Sequence, residues 1–444
     1  MWIGPGRRID KGFANCREMK HNIIWRIFFD EKQNWERFVE KYKKRIRPVV
    51  LKEVEKFHHC GDPKYGFKLF VCEGCHDVKI VAYRCHSRFC TSCSCGEAEE
   101  WSRVLSNDAY QVIHRHVIFT IDEELRNVFA KKRELLKDLM DCSTKLIQDY
   151  YMRKCKVVPG IIAGLHTFGA KAQFNPHVHM MVTMGGMTAA GEWKQYDYLP
   201  FTMLRKQWQT VVLKLLRKKL SAGEIKRIQP ILQRAWNDHP EGFYVYAPKQ
   251  RGNIKEQLRY IARYLRRPAI GMNRILAYDG DTVTFGYKDK KDGQEKTETL
   301  SVEEFIGRLV QHIPEENFKM IRHYGIYSRR ISKLCRKLLG QWQERMKRWI
   351  LKMQRLTRRN WSQRQREGGG EDPTICKQCG NYYEYKGEVC LKNGQLVIIY
   401  AVEPMARKYL ERMIGNYAGR KQEEKDEKRS SAPAKYSQLY LFRV

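Results

Sequence analysis

No apolar run in this 444-residue sequence approaches the roughly 18 residues a membrane-spanning helix needs. The nearest candidate, Ile23-Ile24-Trp25-Arg26-Ile27-Phe28-Phe29, is too short and carries an arginine. The start, MWIGPGRRID, lacks the long apolar core of a secretory leader. Acidic residues are scarce, 50 Asp plus Glu against 84 Lys plus Arg, which leaves a formal charge of +34. A balance this basic favours a polyanionic partner, nucleic acid first and an anionic membrane surface second. There is no fixed-period repeat, and no GxxxxGK[ST] phosphate loop, so an in-chain helicase is not expected. With 42% hydrophobic and 12% aromatic residues, the chain is not mainly disordered. At about 150 residues per domain its length suits about three domains, each long enough to bury a core.

Fourteen cysteines without a secretory leader point to a reducing compartment and to metal thiolates rather than disulfides. Seven lie between Cys60 and Cys95. Cys72-x-x-Cys75 and Cys90-x-x-Cys93, separated by fourteen residues, fit a tetrahedral four-thiolate zinc site. Cys60 and Cys85 remain, with His58, His59, His76, His86 and Cys95 nearby, which leaves donors for a second zinc; which cysteines share an ion stays open. A later patch, Cys376 to Cys390, holds three cysteines, too few for a complete second ribbon.

Apolar spacing predicts an amphipathic helix over 33–58, a strand over 112–121 and a helix over 123–151. Residues 161–168 and 177–184 read as two strands joined by a Gly/Asn/Pro turn, 199–220 and 222–236 as helices, and 243–247 as a short strand. A helix at 254–267 is stopped by Pro268, residues 274–288 alternate like a hairpin around Asp279-Gly280-Asp281, and another helix follows near 302–312. Residues 328–367 carry fourteen Lys or Arg against two acids, interleaved with Trp342, Trp349 and Trp361. Cations that track phosphates and aromatics that stack on unpaired bases make this segment a candidate DNA-binding helix. Residues 420–435 are charged and poor in hydrophobics, the composition of a disordered tail.

His177-Val178-His179 places two imidazoles on one face of a strand, because strand side chains alternate. A lone H-x-H is common. His166, eleven residues upstream on the preceding strand, raises its weight, since the intervening turn folds it back as a third ligand. Three protein ligands leave open positions, the arrangement of a catalytic metal site. His114 and His116 form another H-x-H on a strand, read as incidental because no such turn and upstream histidine accompany them. Tyr260 and Tyr264 share one helix face, i and i+4. A phenol with a pKa near about 10 is a poor nucleophile at neutral pH, a handicap offset by a cation that polarises the scissile phosphate. Arg259, Arg263, Arg266 and Arg267 are placed to hold phosphates beside the phenols.

The histidine pair, the later tyrosine pair and the cysteine module in front, in this order, resemble the two-tyrosine HUH rolling-circle transposases of bacterial insertion sequences. The resemblance covers roughly residues 35–340. It is carried by CGDPKYGFKLFVCEGC with CHSRFCTSC, by LHTFGAKAQFNPHVHMMVTMGG, by YIARYLRRPAIGMNRI and by EEFIGRLVQHIP with FKMIRHYGIYS. One departure is Arg263, where many such enzymes have lysine between the tyrosines; arginine preserves the charge. The resemblance implies an α+β fold, an antiparallel sheet flanked by helices and preceded by a helical segment and a small zinc ribbon. It implies His166, His177 and His179 as ligands of a catalytic Mg²⁺ or Mn²⁺, and Tyr260 and Tyr264 as nucleophiles that form a 5′-phosphotyrosine on single-stranded DNA. Structural Zn²⁺ falls to Cys60, Cys72, Cys75, Cys85, Cys90 and Cys93. The implied domains are 1–58 helical, 59–100 zinc ribbon, 101–330 nuclease, 331–370 basic segment and linker, and 371–444 a Cys-containing module with a charged tail. The bacterial cytoplasm, at the nucleoid, is the implied location. Rival readings are a plasmid rolling-circle replication initiator or relaxase, which shares the chemistry, and a non-catalytic zinc-ribbon DNA-binding protein. A zinc hydrolase built on the three histidines, acting without a tyrosine adduct, is a further one.

Overall fold

The structure is a computed structural model that describes residues 22–87, 89–248, 254–265, 268–289, 292–328, 363 and 372–415. Arg266, Arg267, the basic segment 331–362 and the tail beyond 415 lie outside the described residues, as do the side chains of Cys95, Arg263 and Tyr264.

Three helices open the described chain: α1 (Ile23–Phe29), α2 (Asn34–Tyr42) and α3 (Pro48–His58). A hairpin of β1 (Gly66–Cys72) and β2 (Val78–Ala82) leads to α4 (Thr91–Asp108). Then come β3 (His114–Phe119), α5 (Arg126–Lys131), α6 (Leu135–Cys155), β4 (Val158–Phe168), β5 (Phe174–Met187) and β6 (Trp193–Gln195). Two helices, α7 (Phe201–Lys219) and α8 (Ala222–Asn237), precede β7 (Val245–Tyr246) and α9 (Ile254–Leu265). Three strands, β8 (Ile275–Tyr278), β9 (Thr282–Lys288) and β10 (Glu295–Ser301), lead to α10 (Val302–Val310) and β11 (Ile321–Gly325). The chain closes with β12 (Tyr383–Lys392), β13 (Gln395–Ala401) and a helical stretch at 404–415.

The single helix expected over 33–58 is two. Proline disfavours helical backbone at the residue before it and is tolerated only in a helix's first turn, so the chain must break before Pro48 and can restart there. The helix expected over 123–151 breaks at Lys132, whose φ of −114° and ψ of 72° leave the helical region. Ser221 and Glu224 form a capping box that fixes the start of α8. Among the described residues no helix is long and apolar enough to cross a membrane.

The fold is α+β, and the chain divides into two compact units. The first contains, of the described residues, 58–85, 363 and 372–415. Its four-stranded sheet runs β13-β12-β1-β2 with antiparallel neighbours. Alternation along β1 buries Phe67, Leu69 and Val71 and leaves Lys68 exposed, and Ile80, Val389, Leu410 and Met413 close the core over them. The C-terminal residues therefore supply half the strands and much of the core of the ribbon that the sequence assigns to 59–100.

The second unit, which of the described residues contains those within 22–57 and 86–328, holds a six-stranded sheet in the order β11-β4-β5-β3-β7, with β6 paired to β5. Every pairing is antiparallel. The strands joined by the long hairpin, β4 and β5, lie at its centre. Val117, Phe119, Val178, Val182, Ile161 and Leu165 face helices α5 to α8 and form the main core. On the opposite face, Ile162 and Met181 pack against Leu105 of α4, Ala109 just after it, and Leu258, Ile261, Ala262 and Leu265 of α9. A smaller sheet, β10-β9-β8, packs Phe285 on Phe305 of α10.

Candidate active site and metal centre

The turn between β4 and β5 is shorter than the sequence suggests. It spans residues 169–173, closed by Gly169 N–H donating to the Gln173 carbonyl at 2.9 Å, and Asn175 and Pro176 already belong to β5. The register sets His166 directly opposite His177 and Gly164 opposite His179. Paired residues share a face, so His166, His177 and His179 project together on the side covered by α4 and α9. One ring nitrogen from each lies within 4.8 Å of the other two. Ring centroids are 4.2 Å apart for His166 and His179, 4.8 Å for His177 and His179, and 5.4 Å for His166 and His177. The Asn175 carbonyl lies 2.7 Å from His177 Nδ1. A carbonyl only accepts, so Nδ1 carries the proton and Nε2 the lone pair.

Sequence reasoning missed His116. Its Nε2 lies 2.8 Å from His179 Nδ1, and the two rings stack at 5.0 Å. Burial, with a smaller contribution from the charge of His177, pushes the His116 pKa down to about 4, so its ring is neutral. Alternation in the sequence puts His114 and His116 on the same face of β3, but only the pairing of β3 with β5 brings His116 to His179. His114 does behave as a satisfied core histidine. Its Nδ1 donates to the Val112 carbonyl at 2.6 Å, and its Nε2 accepts from the Tyr327 hydroxyl at 2.8 Å.

Helix α9 crosses this face. Its buried stripe, Leu258, Ile261, Ala262 and Leu265, is the i, i+3, i+4, i+7 pattern, which leaves Tyr260 and Arg259 exposed beside it. The Tyr260 ring stands edge-on to His116 at 6.4 Å. Tyr264 follows one turn later on the same helix. Close approach of α9 depends on Gly164, where an added Cβ would meet the Leu265 carbonyl oxygen and side chain at 3.0 Å. At the sheet's other edge Tyr246 pairs with Ile118, which pairs with His179, so all three share one face. Tyr244 and Tyr246 are exposed and stacked at 6.0 Å with 14° between planes, and the Arg205 guanidinium lies 5.0 Å over Tyr244.

The cysteines arrange themselves differently from the spacing argument. Cys72 and Cys75 face Cys376 and Cys379, rather than the Cys90-x-x-Cys93 pair fourteen residues on: the four sulfurs lie within 4.8 Å of one another. Cys60 belongs to the same unit and accepts a hydrogen bond from the Cys85 amide at 3.4 Å. Cys90 and Cys93, in the second unit, sit at the start of α4. Cys390, on β12, pairs with Gly66.

The segments that build this face have known relatives in sequence, and those relatives are transposases. Residues 160–335, which hold His166, the H-x-H strand and the tyrosine helix, match the family model "Putative transposase". Residues 31–121 match the model "Transposase zinc-binding domain". The chain is 30% identical over 320 residues to the transposase for insertion sequence element IS801 of Pseudomonas savastanoi pv. phaseolicola, an alignment covering 68% of this chain and 76% of that one. It is 27% identical over 308 residues to "Putative transposase y4qJ" of Sinorhizobium fredii (strain NBRC 101917 / NGR234), covering 63% of this chain and 76% of that one. The chain belongs to this family of insertion-sequence transposases with a zinc-binding domain. No solved structure matches it. Membership makes it a transposase acting on DNA, and the replication-initiator and relaxase readings give way.

Proposed function

We propose that this transposase nicks and rejoins single-stranded DNA at transposon ends through a 5′-phosphotyrosine intermediate, the rolling-circle mode. The observation that carries the reading is the convergence of His166, His177 and His179 on the sheet face crossed by the helix of Tyr260. The donor set fits a divalent cation, Mg²⁺ or Mn²⁺: three imidazoles offer neutral nitrogens and leave coordination positions for phosphate oxygens. The Asn175 carbonyl fixes the His177 tautomer that presents Nε2. His116, buried and neutral, takes the Nδ1 proton of His179 as a hydrogen bond and so leaves the Nε2 lone pair of His179 to the metal. A cation bound there would polarise the scissile phosphate and offset its developing charge.

The protein's own residues do the rest. The oxygen of one tyrosine forms a bond to phosphorus, the bond from phosphorus to the 3′ oxygen breaks, and the phenol proton passes through solvent to the departing 3′-hydroxyl. The phosphodiester energy stays in the tyrosine ester, so attack by a 3′-hydroxyl rejoins the strand without ATP. Tyr260 and Tyr264, one helical turn apart, would hold two strand ends during transfer. Arg259, exposed next to Tyr260, with Arg263, Arg266 and Arg267, would bind the flanking phosphates. Unpaired bases would stack on Tyr244 and Tyr246, a platform that duplex DNA, with its bases already stacked, cannot use. Of the first cysteine cluster, Cys60, Cys85, Cys90 and Cys93 are proposed as ligands of structural zinc, and the bacterial cytoplasm at the nucleoid as the site of action.

The test is cleavage of 5′-labelled and 3′-labelled single-stranded DNA from the element ends with Mg²⁺ or Mn²⁺, resolved on a denaturing gel. A protein–DNA adduct that keeps the 3′ label, and disappears in Tyr260→Phe/Tyr264→Phe and in His177→Ala, is the expected result. Tight binding with no adduct on any strand overturns the mechanism.

A further inference from the structure

Cys72-Glu73-Gly74-Cys75 and Cys376-Lys377-Gln378-Cys379 are folded as the same turn. In each, the first cysteine's N–H donates to the carbonyl five residues on, Cys72 to Asp77 at 2.8 Å and Cys376 to Asn381 at 2.7 Å. In each, the residue after the second cysteine donates back to the first cysteine's carbonyl, His76 to Cys72 at 3.1 Å and Gly380 to Cys376 at 2.9 Å. That residue is left-handed in both, φ 60° at His76 and 77° at Gly380. The Gln378 amide points at the Cys376 sulfur at 3.4 Å, the kind of contact that stabilises a thiolate. The turns interlock: Gly74 lies so near the second turn that a Cβ would fall 1.9 Å from Asn381 Nδ2, and the Glu73 N–H donates to the Tyr382 carbonyl at 3.0 Å.

The sulfurs are set for a metal rather than for bonds to each other. Cys72 Sγ is 3.4 Å from Cys379 Sγ, and Cys75 Sγ is 3.5 Å from Cys376 Sγ. A tetrahedron of ~2.3 Å zinc–sulfur bonds has edges of about 3.8 Å. We infer that Cys72, Cys75, Cys376 and Cys379 bind one structural Zn²⁺, whose ligands come from opposite ends of the chain. The family's zinc-binding match ends at residue 121, so half of this ligand set lies outside it. Cys376 lies 301 positions after Cys75 in the chain. The ion therefore closes a loop that contains the whole histidine and tyrosine region, and the register of β1 against β12 is locked at its Cys72–Tyr383 end. This inference is independent of the tyrosine mechanism.

Two measurements on the full chain test it. Zinc content, read after acid release, should fall by one ion per chain in Cys72→Ser/Cys75→Ser, by one in Cys376→Ser/Cys379→Ser, and by the same single ion when all four are replaced. Loss of two ions in the fourfold variant, or none in the Cys376→Ser/Cys379→Ser pair, overturns the assignment. Misfolded variants would lose zinc for other reasons, so the unmodified protein supplies the second readout. Cys75 and Cys379 are exposed, and protection from a maleimide there reflects metal ligation rather than burial. All four thiols should resist alkylation in the zinc-loaded protein and react together once a chelator is added. Alkylation of Cys376 and Cys379 with zinc in place, or recovery of Cys72–Cys379 and Cys75–Cys376 as disulfides, overturns it.

Discussion

The histidine cluster and the cysteine knuckles are built by opposite routes. The histidines come from one hairpin, with His166 and His177 eleven positions apart and directly paired. The knuckles come from segments 301 to 307 residues apart, joined only because β12 adds to β1. A local site needs one turn and one register; a remote site needs the folded sheet to exist first. The first should tolerate damage elsewhere, and the second should fail with either of its ends.

The largest expected effect tests that asymmetry. Truncation before residue 372 strips β1 of β12 and removes Val389, Leu410 and Met413 from the core over Phe67, Leu69 and Val71. Buried aliphatic losses of about 2–5 kcal/mol each sum to on the order of a domain's whole stability, about 5–15 kcal/mol. Amide hydrogen exchange across 66–82 should lose its protection, and retained protection would break the comparison. His177→Ala should do the reverse. Cleavage falls roughly a hundredfold or more, the several kcal/mol of a metal's contribution at about 1.4 kcal/mol per factor of ten, while zinc content stays unchanged.

His116→Ala is expected to weaken Mn²⁺ binding about 10- to 100-fold, the usual cost of removing a partner that orients a metal-binding histidine. Calorimetric titration measures it, and His116→Asn, whose amide oxygen can still accept from His179, should recover part of the loss. Equal affinity in the alanine variant would return His116 to the role of core filler. Effects on stability alone are expected at the two close-approach glycines. Gly164→Ala pushes a methyl against Leu265, and Gly74→Ala pushes one against Asn381; each should cost about 1–3 kcal/mol by overpacking. Thermal unfolding should show the Gly74→Ala penalty relieved by Asn381→Gly, and no relief would mean that the two turns are not locked together.

Much of the site was readable beforehand because it is local. Alternation gave His177 and His179 one face, and helical spacing gave Tyr260 and Tyr264 one face, without any knowledge of the rest of the chain. His116 escaped because a lone H-x-H carries no information about its neighbouring strand; only the pairing of β3 with β5 brings His116 to His179. Tyr244 and Tyr246 escaped for the same reason, since FYVYA states which side chains alternate but not that the exposed ones share the histidine face. The helix expected at 33–58 failed on a local rule that outweighs periodicity, the backbone restriction before Pro48.

By itself the amino-acid sequence determined the α+β composition, the cysteine-rich and histidine-bearing segments, the paired tyrosines and the basic charge that suits DNA. Each of these depends on side-chain chemistry or on contacts a few residues apart. Only the tertiary structure decided which knuckle meets which. Cys72 and Cys75 had a sequence neighbour of the right form in Cys90-x-x-Cys93, yet they face Cys376 and Cys379, because β12 pairs with β1 and the apolar residues of β1 are buried with Val389 of β12 and with Leu410 and Met413 of the helical stretch after β13. Spacing limits which thiols can share an ion across a short loop, but a sheet that buries Phe67, Leu69 and Val71 decides which ones arrive.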